Sequence, residues 1–246
     1  MLFRSNKILF FHSAQLQSFK LSVSMGDMAI KNIGKCFKKW VHSACLKRVK
    51  QITLGNGMLL EVPNSLFSCN CLTFLKLHWF MLTNLPPYFS GFSCLVACYL
   101  AYIYTNDDII EQLVAKCHLL ENLKVQRCPG LNSLKISALN LRNLDLNGLD
   151  FPQLIMNFPQ LVNFIVDDCP SMSRLEVSSC GFLHLSTTKV NVITGFYIAN
   201  LLKKITLHGY RREVCDLHVY RVLGEFTLHF SVQVLSIEVL GRFLNL

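Results

Sequence analysis

Leu120-Glu121-Asn122-Leu123-Lys124-Val125, Leu131-Asn132-Ser133-Leu134-Lys135-Ile136 and Leu141-Arg142-Asn143-Leu144-Asp145-Leu146 spell one phrase three times in close succession. The phrase is Leu-x-x-Leu-x-Leu, with Ile, Val, Phe or Met accepted in place of Leu. Further clear copies are Leu16–Leu21, Val49–Leu54, Leu72–Leu77, Leu161–Val166, Met172–Val177 and Leu202–Leu207, and weaker ones begin at Leu95, Leu223 and Val232. The fourth and sixth residues are apolar and the fifth is usually polar, as in Lys20, Thr53, Lys76, Lys124, Lys135, Asp145, Glu176 and Thr206. That is period two, the mark of a strand with one buried face. Strands that recur on a fixed scale stack side by side, each unit hiding its apolar face against the next. The expected fold is an α/β solenoid whose curved sheet holds about 10–13 short parallel strands, with helices and irregular turns on the convex side.

Two spacings alternate along the chain: long units of about 20–25 residues and short ones of about 9–11. The long spacing suits a strand plus a helix, the short one a strand and its turn. Asp27 can cap a helix running to about Val41, with Ile30, Ile33, Phe37, Trp40 and Val41 on its apolar stripe and Lys31, Lys35, Lys38 and His42 opposite. Asn106 can cap a second helix through Cys117, with Asp107, Asp108 and Glu111 in its first turn. Val62–Phe67 and Leu85–Phe89 carry prolines and read as extended segments ending in one short helical turn. Such proline-bearing connections are a leucine-rich-repeat signature.

Composition narrows the function classes. Hydrophobic residues make up 52% of the 246 and charged residues 16%, so the chain can bury a long core. No stretch reaches the roughly 18 apolar residues that a membrane span needs, and the apolar run near Met1 is too short for a signal peptide. The expected location is therefore cytoplasmic, nuclear or both. Eleven cysteines do not read as a disulfide framework, because Cys128, Cys169 and Cys180 each fall three residues after a phrase, in a slot for a small buried side chain. The net charge of +9 belongs to the first quarter: residues 1–60 hold ten Lys and Arg against Asp27 alone. The run from Lys31 to Lys50 could meet phosphates, but Phe37 and Trp40 are committed to the core, so a solvated outer helix face is the favoured reading.

No motif for catalysis, cofactor or metal emerges. Gly55-Asn56-Gly57 lacks the third glycine of a dinucleotide loop and reads as a hairpin-like turn. Ser93 lacks the second glycine of a nucleophile elbow. Cys69-Asn70-Cys71 is too tight for a zinc knuckle. Asp107/Asp108 read as helix-start charge and Asp167/Asp168 as a turn. His78, His208 and His229 share the outward position just past a phrase. The chain is not expected to be an enzyme.

Read in order, the segments resemble the repeat region of plant F-box/leucine-rich-repeat proteins, particularly those with a C-terminal FBD domain. Val62-Pro63-Asn64-Ser65-Leu66-Phe67-Ser68-Cys69 is similar to the family's "lPs.lFsC". Leu85-Pro86-Pro87 with Phe89-Ser90-Gly91-Phe92 is like its "lP..f.GF". Asp107–Cys117 followed by Leu120–Val125 is similar to its "LLs.CP.LE.L.l", with His118 where Pro is usual. The similarity covers about residues 8–210. Leu202–Tyr210 and Glu213 look like the start of an FBD domain, but Tyr220–Glu225 departs from its continuation.

The resemblance implies a single leucine-rich-repeat domain over residues 1–246, with residues 1–45 as an N-terminal cap and about 202–246 as a degenerate FBD-like segment. It also implies protein recognition by the concave face, as in the substrate arm of a ubiquitin ligase. The family's F-box has no counterpart, so adaptor or cullin binding is not expected of this chain; the alternatives are a stand-alone or truncated interaction module and, behind it, a basic-end nucleic-acid or lipid binder. The outward middle residues nominated as the binding surface are Lys76, Tyr99, Lys124, Lys135, Asp145 and Glu176.

Overall fold

The computed structural model describes residues 16–23 and 33–171, and beyond them the backbone of strands 174–180, 183–188, 195–198, 202–208, 226–231 and 234–239. Its strands are β1 (Ser18–Val23), β2 (Gln51–Glu61), β3 (Phe74–Met81), β4 (Ala97–Ala101), β5 (Asn122–Gln126), β6 (Ser133–Ser137), β7 (Asn143–Asn147), β8 (Gln153–Phe158), β9 (Asn163–Asp167), β10 (Arg174–Cys180), β11 (Leu183–Thr188), β12 (Gly195–Ile198), β13 (Leu202–His208), β14 (Phe226–Ser231) and β15 (Val234–Val239). Two helices accompany them among the described residues, α1 (Ile33–Leu46) and α2 (Asp107–Lys116).

Eleven strands form the main sheet, in the order β1-β2-β3-β4-β5-β7-β9-β11-β13-β15-β14. It is parallel from β1 to β13, as the phrases require. The last two strands correct the expectation of uniform parallel pairing: β15 runs antiparallel to β13, and β14 antiparallel to β15. A two-residue gap between β14 and β15 permits only a reversal, since a parallel neighbour needs a crossover of about a dozen residues.

The same rule explains what happens to the short units. The skipped strands β6, β8, β10 and β12 form a second parallel sheet of their own. A phrase that follows its predecessor after about ten residues cannot lie beside it in parallel. From β5 to β13 the main sheet therefore returns through a strand of the second sheet between neighbours, which stand 20–21 residues apart there, as the Asn122–Asn143–Asn163 contacts show. Among the described residues, helices back the sheet only as far as α2, and from Ser133 onward the backing layer is this second sheet. Leu123, Leu144 and Phe164 of the main sheet share one continuous core with Leu134, Leu154 and Met156 of the second.

The early backing layer is aromatic. Phe37, Trp40 and Val41 of α1 are buried, with Phe37 5.5 Å from the Phe80 ring. Lys35, Lys38, Lys39 and His42 are exposed on the opposite face. The helix continues past Val41 to Leu46, and Asp27, its expected cap, lies outside the described residues. After the 3-10 turn Asn64–Ser68, Phe67 meets Phe89 at 5.2 Å and Phe92 at 6.0 Å. Gly55-Asn56-Gly57 is not a turn between strands. It opens a bulge inside β2, where the register jumps from Gly55 to Leu60 and the buried Asn56 amide donates to the Trp79 carbonyl at 2.8 Å. Cys128 and Cys169 fill the slots beneath the turns, their thiols donating to Gln126 and Asp167 carbonyls, and burial pushes each up to about 11. Cys180 falls in β10, where only the backbone is described. No helix among the described residues is long and apolar enough to cross a membrane.

α2 begins where expected: Asn106 accepts from the Ile109 amide at 3.0 Å, and Asp107 and Asp108 occupy the first turn. Asp107 does more than complement the helix dipole. Its two oxygens accept from the Asn132 and Ser133 amides at 2.8 and 2.9 Å, and Glu111 accepts from the Lys135 amide at 2.7 Å. These amides lie along the outer edge of the second sheet, because β6 is its terminal strand. Acidic side chains thus cover an edge that would otherwise seek another strand. Asp107→Ala is expected to lower stability by about 2 kcal/mol, since charge-assisted acceptors are lost to two backbone amides. Asp108→Ala, with dipole complementarity alone at stake, should cost no more than about 1 kcal/mol; urea midpoints compare the two.

Candidate functional site

Alternation along each strand turns the fourth and sixth phrase residues inward and leaves the third and fifth on the open face of the main sheet. Because the strands pair in register, equivalent outward residues line up in rows. The central row runs Lys20, Thr53, Lys76, Tyr99, Lys124, Asp145 and Ile165. Four nominated residues, Lys76, Tyr99, Lys124 and Asp145, are thus consecutive members of one row. Lys135 and Glu176 do not join them. They sit on the second sheet in a row of their own, with Ile155 between them.

The row is flanked by polar ladders. Asn143 donates to the Asn122 side-chain oxygen at 2.6 Å and accepts from the Asn163 amide at 2.6 Å. On the other flank the Gln126 amide reaches Asn147 at 3.4 Å, and Asn147 donates to Asp167 at 3.0 Å. Between the ladders Lys124 and Asp145 pair at 2.5 Å, both part-exposed, so their pairing orders the face more than it stabilises the fold. Tyr99 meets Phe74 edge-on at 5.3 Å. Ile165, 40% exposed, puts an apolar side chain at the position usually polar. Tyr99, Lys124, Asp145 and Ile165 with the asparagine ladder line a shallow depression of about 660 Å³. Asn143→Ala strands two amide partners and is expected to cost about 1–2 kcal/mol. A double-mutant cycle with Asn163→Ala should show a coupling energy above zero in thermal unfolding; strict additivity would contradict the ladder.

A second feature was not nominated from the sequence. Two residues past the phrases of the main-sheet strands β3, β4, β5, β7 and β9 the backbone turns left-handed: Trp79 (φ 64), Tyr102 (φ 54), Arg127 (φ 48), Gly148 (φ 63) and Asp168 (φ 51), with Leu59 (φ 51) in the bulge of β2. These side chains form a column along the strand ends. The Trp79 and Tyr102 rings stack with centroids 4.9 Å apart and planes within 2°. The Arg127 guanidinium lies 6.0 Å from the Tyr102 ring and 3.9 Å from Asp168. Gly148 leaves room for that reach, since a Cβ there would stand 2.6 Å from the Arg127 Cγ. The column borders a cleft of about 800 Å³, to which Tyr104 and Asp150 also contribute. His78, edge-on to Tyr102 at 5.3 Å, is held below the ordinary histidine range by burial and by Lys76. The legible signal was Gly148, which marks the recurring position as left-handed.

Among the described residues no group of three or more His, Cys, Asp or Glu is placed to hold a metal ion. What the site presents is therefore contact chemistry: aromatic surface, part-exposed charges and side-chain amides on a rigid sheet.

Comparison with known proteins agrees with this architecture. Residues 37–215 match the family model described as FBD-associated F-box protein At5g56370, LRR repeats. The chain is 29% identical to FBD-associated F-box protein At1g66310 of Arabidopsis thaliana over 156 residues, covering 61% of this chain and 34% of that protein. It is 25% identical to F-box/FBD/LRR-repeat protein At1g51370 of the same plant over 146 residues, 58% of this chain and 32% of that one. These names describe F-box and repeat proteins, and neither is the name of an enzyme. The chain spans about a third to two-fifths of the length of the curated relatives it matches. No solved structure matches it. On its leucine-rich-repeat region, the chain belongs to the FBD-associated F-box protein family.

Proposed function

We propose that this chain is a protein-recognition scaffold, the substrate-recognition arm of an SCF-type ubiquitin ligase receptor acting in the cytoplasm or nucleus. The observation that supports the recognition role most directly is the in-register row Lys76, Tyr99, Lys124 and Asp145, of which Lys76 is exposed and the other three are half-buried. A rigid row places several anchors at the fixed interstrand spacing of about 4.8 Å, and tyrosine is among the residue types enriched at binding hot spots. The ligase link rests on the F-box names of the relatives.

Affinity capture from plant cells tests both levels, using the chain and a Tyr99→Ala/Lys124→Glu variant. Partners that bind through the row should fall at least tenfold in the variant, while the fold, read by circular dichroism, is kept. Co-recovery of a Skp-type adaptor and a cullin supports the ligase arm. Row-dependent partners whose abundance does not change when cullin ligases are inhibited would leave a stand-alone interaction module instead.

A further inference from the structure

The cleft along the strand ends carries an inference of its own. A left-handed backbone costs a non-glycine residue about 1–2 kcal/mol, and Gly148 shows that the turn itself does not require a large side chain. Trp79, Tyr102 and Arg127 nevertheless occupy it, collecting in one column the three residue types most enriched at binding hot spots. They are not there to fill the core: Trp79 is 42% exposed, and Tyr104 beside it is 49% exposed.

Charge selects the occupant. Among the described residues, the charged ones lining the cleft are Arg127, Asp150 and Asp168. Arg127 is spent between the Tyr102 ring and Asp168. Asp150 accepts a hydrogen bond from the Ser171 hydroxyl, and among the described residues no cation pairs with it. Among the described residues the lining of the cleft is therefore net negative, in a chain of net charge +9. It offers a carboxylate at one end and exposed aromatic surface at the other.

We infer that this cleft seats an extended segment of a partner protein that carries a basic side chain about four residues from an apolar one, since three interstrand spacings of about 4.8 Å separate the two ends. The cation meets Asp150, and the apolar side chain packs against Trp79 and Tyr104. The inference rests on the protein-recognition reading but assigns it a second, separate contact, off the face of the main sheet.

The chain supplies its own reporter. It has two tryptophans, and Trp40 is buried at 3% exposure while Trp79 is not. The test pans a phage-displayed random dodecapeptide library against the full chain, then titrates the consensus peptide, made without tryptophan, while following the exposed tryptophan emission. The expected consensus pairs Lys or Arg with Leu, Phe or Met. Its binding should shift Trp79 emission and weaken at least tenfold in Asp150→Asn, a near-isosteric change at an exposed site. It should weaken similarly when the peptide's cation is replaced by Glu. Gly148→Ala, whose added Cβ would stand 2.6 Å from the Arg127 Cγ, should change the amplitude of the emission shift. No consensus, an acidic consensus, or binding indifferent to Asp150→Asn would overturn the inference. If the Tyr99→Ala/Lys124→Glu variant still loses its cellular partners in that case, only the cleft assignment falls; if neither site matters, the recognition reading falls with it.

Discussion

Gly91→Ala is expected to destabilise the chain by about 3 kcal/mol or more, because strain at a special backbone conformation and a steric clash act together. Gly91 has φ +110, a conformation open to glycine and closed to side chains bearing a Cβ. A Cβ built there stands 1.9 Å from the Lys116 carbonyl oxygen and 2.7 Å from its carbon. Neither atom can yield cheaply. Lys116 ends α2, and its ammonium group donates to the Phe89 carbonyl at 2.9 Å while lying 5.6 Å from the Phe89 ring. On the other side of the glycine, Phe92 is fully buried against Phe67 and Phe89. The loop is clamped between helix and aromatic layer, so the clash must open one of them. Gly34→Ala is the contrast. Its added Cβ meets only a Leu60 methyl at 3.9 Å within α1, and helix propensity predicts a neutral change or a gain of up to about 1 kcal/mol. Urea unfolding followed by far-UV circular dichroism separates the two; equal midpoints would contradict the packing of the Gly91 loop against α2.

Phe164→Ala should cost about 3–5 kcal/mol, the range for truncating a buried phenylalanine. Phe164 lies on β9, is fully buried, and belongs to the core shared by both sheets. Because each coil of a solenoid contacts mainly its neighbours, the damage should stay near its source. Hydrogen exchange is expected to show protection lost across β7, β9 and β11 and retained in β2, β3 and β4. Phe164→Leu, which keeps most of the volume, should cost less than about 1.5 kcal/mol. Uniform loss of protection along the whole chain would show that the coils unfold as a single unit instead.

Much of this was legible from local pattern. Leu123 and Val125 are buried with Lys124 between them because a strand's side chains alternate, and the same holds for Leu134, Lys135 and Ile136. Asn106 and the stripe Phe37, Trp40 and Val41 were legible for the helical equivalent of that reason. The division of strands between two sheets was not read, although its cause was present: about ten residues cannot provide a parallel crossover. Lys124 and Lys135 occupy the same place in the same phrase, yet one joins the row on the main sheet and the other the row on the second. The column Trp79, Tyr102, Arg127 and Asp168 escaped because its members share a backbone angle rather than a residue type.

The dozen phrases by themselves determined that the chain coils into a repeat solenoid, and which side chains turn inward. That information is local, because apolar periodicity acts through the two faces of a single strand. Which strands become neighbours, and so which outward residues share a face, was decided by the tertiary structure, because from β5 to β13 pairing partners stand 20–21 residues apart and skip the strand between. It decided also that Gly148 leaves space for Arg127 to reach Asp168, a contact between coils that periodicity within one strand does not encode.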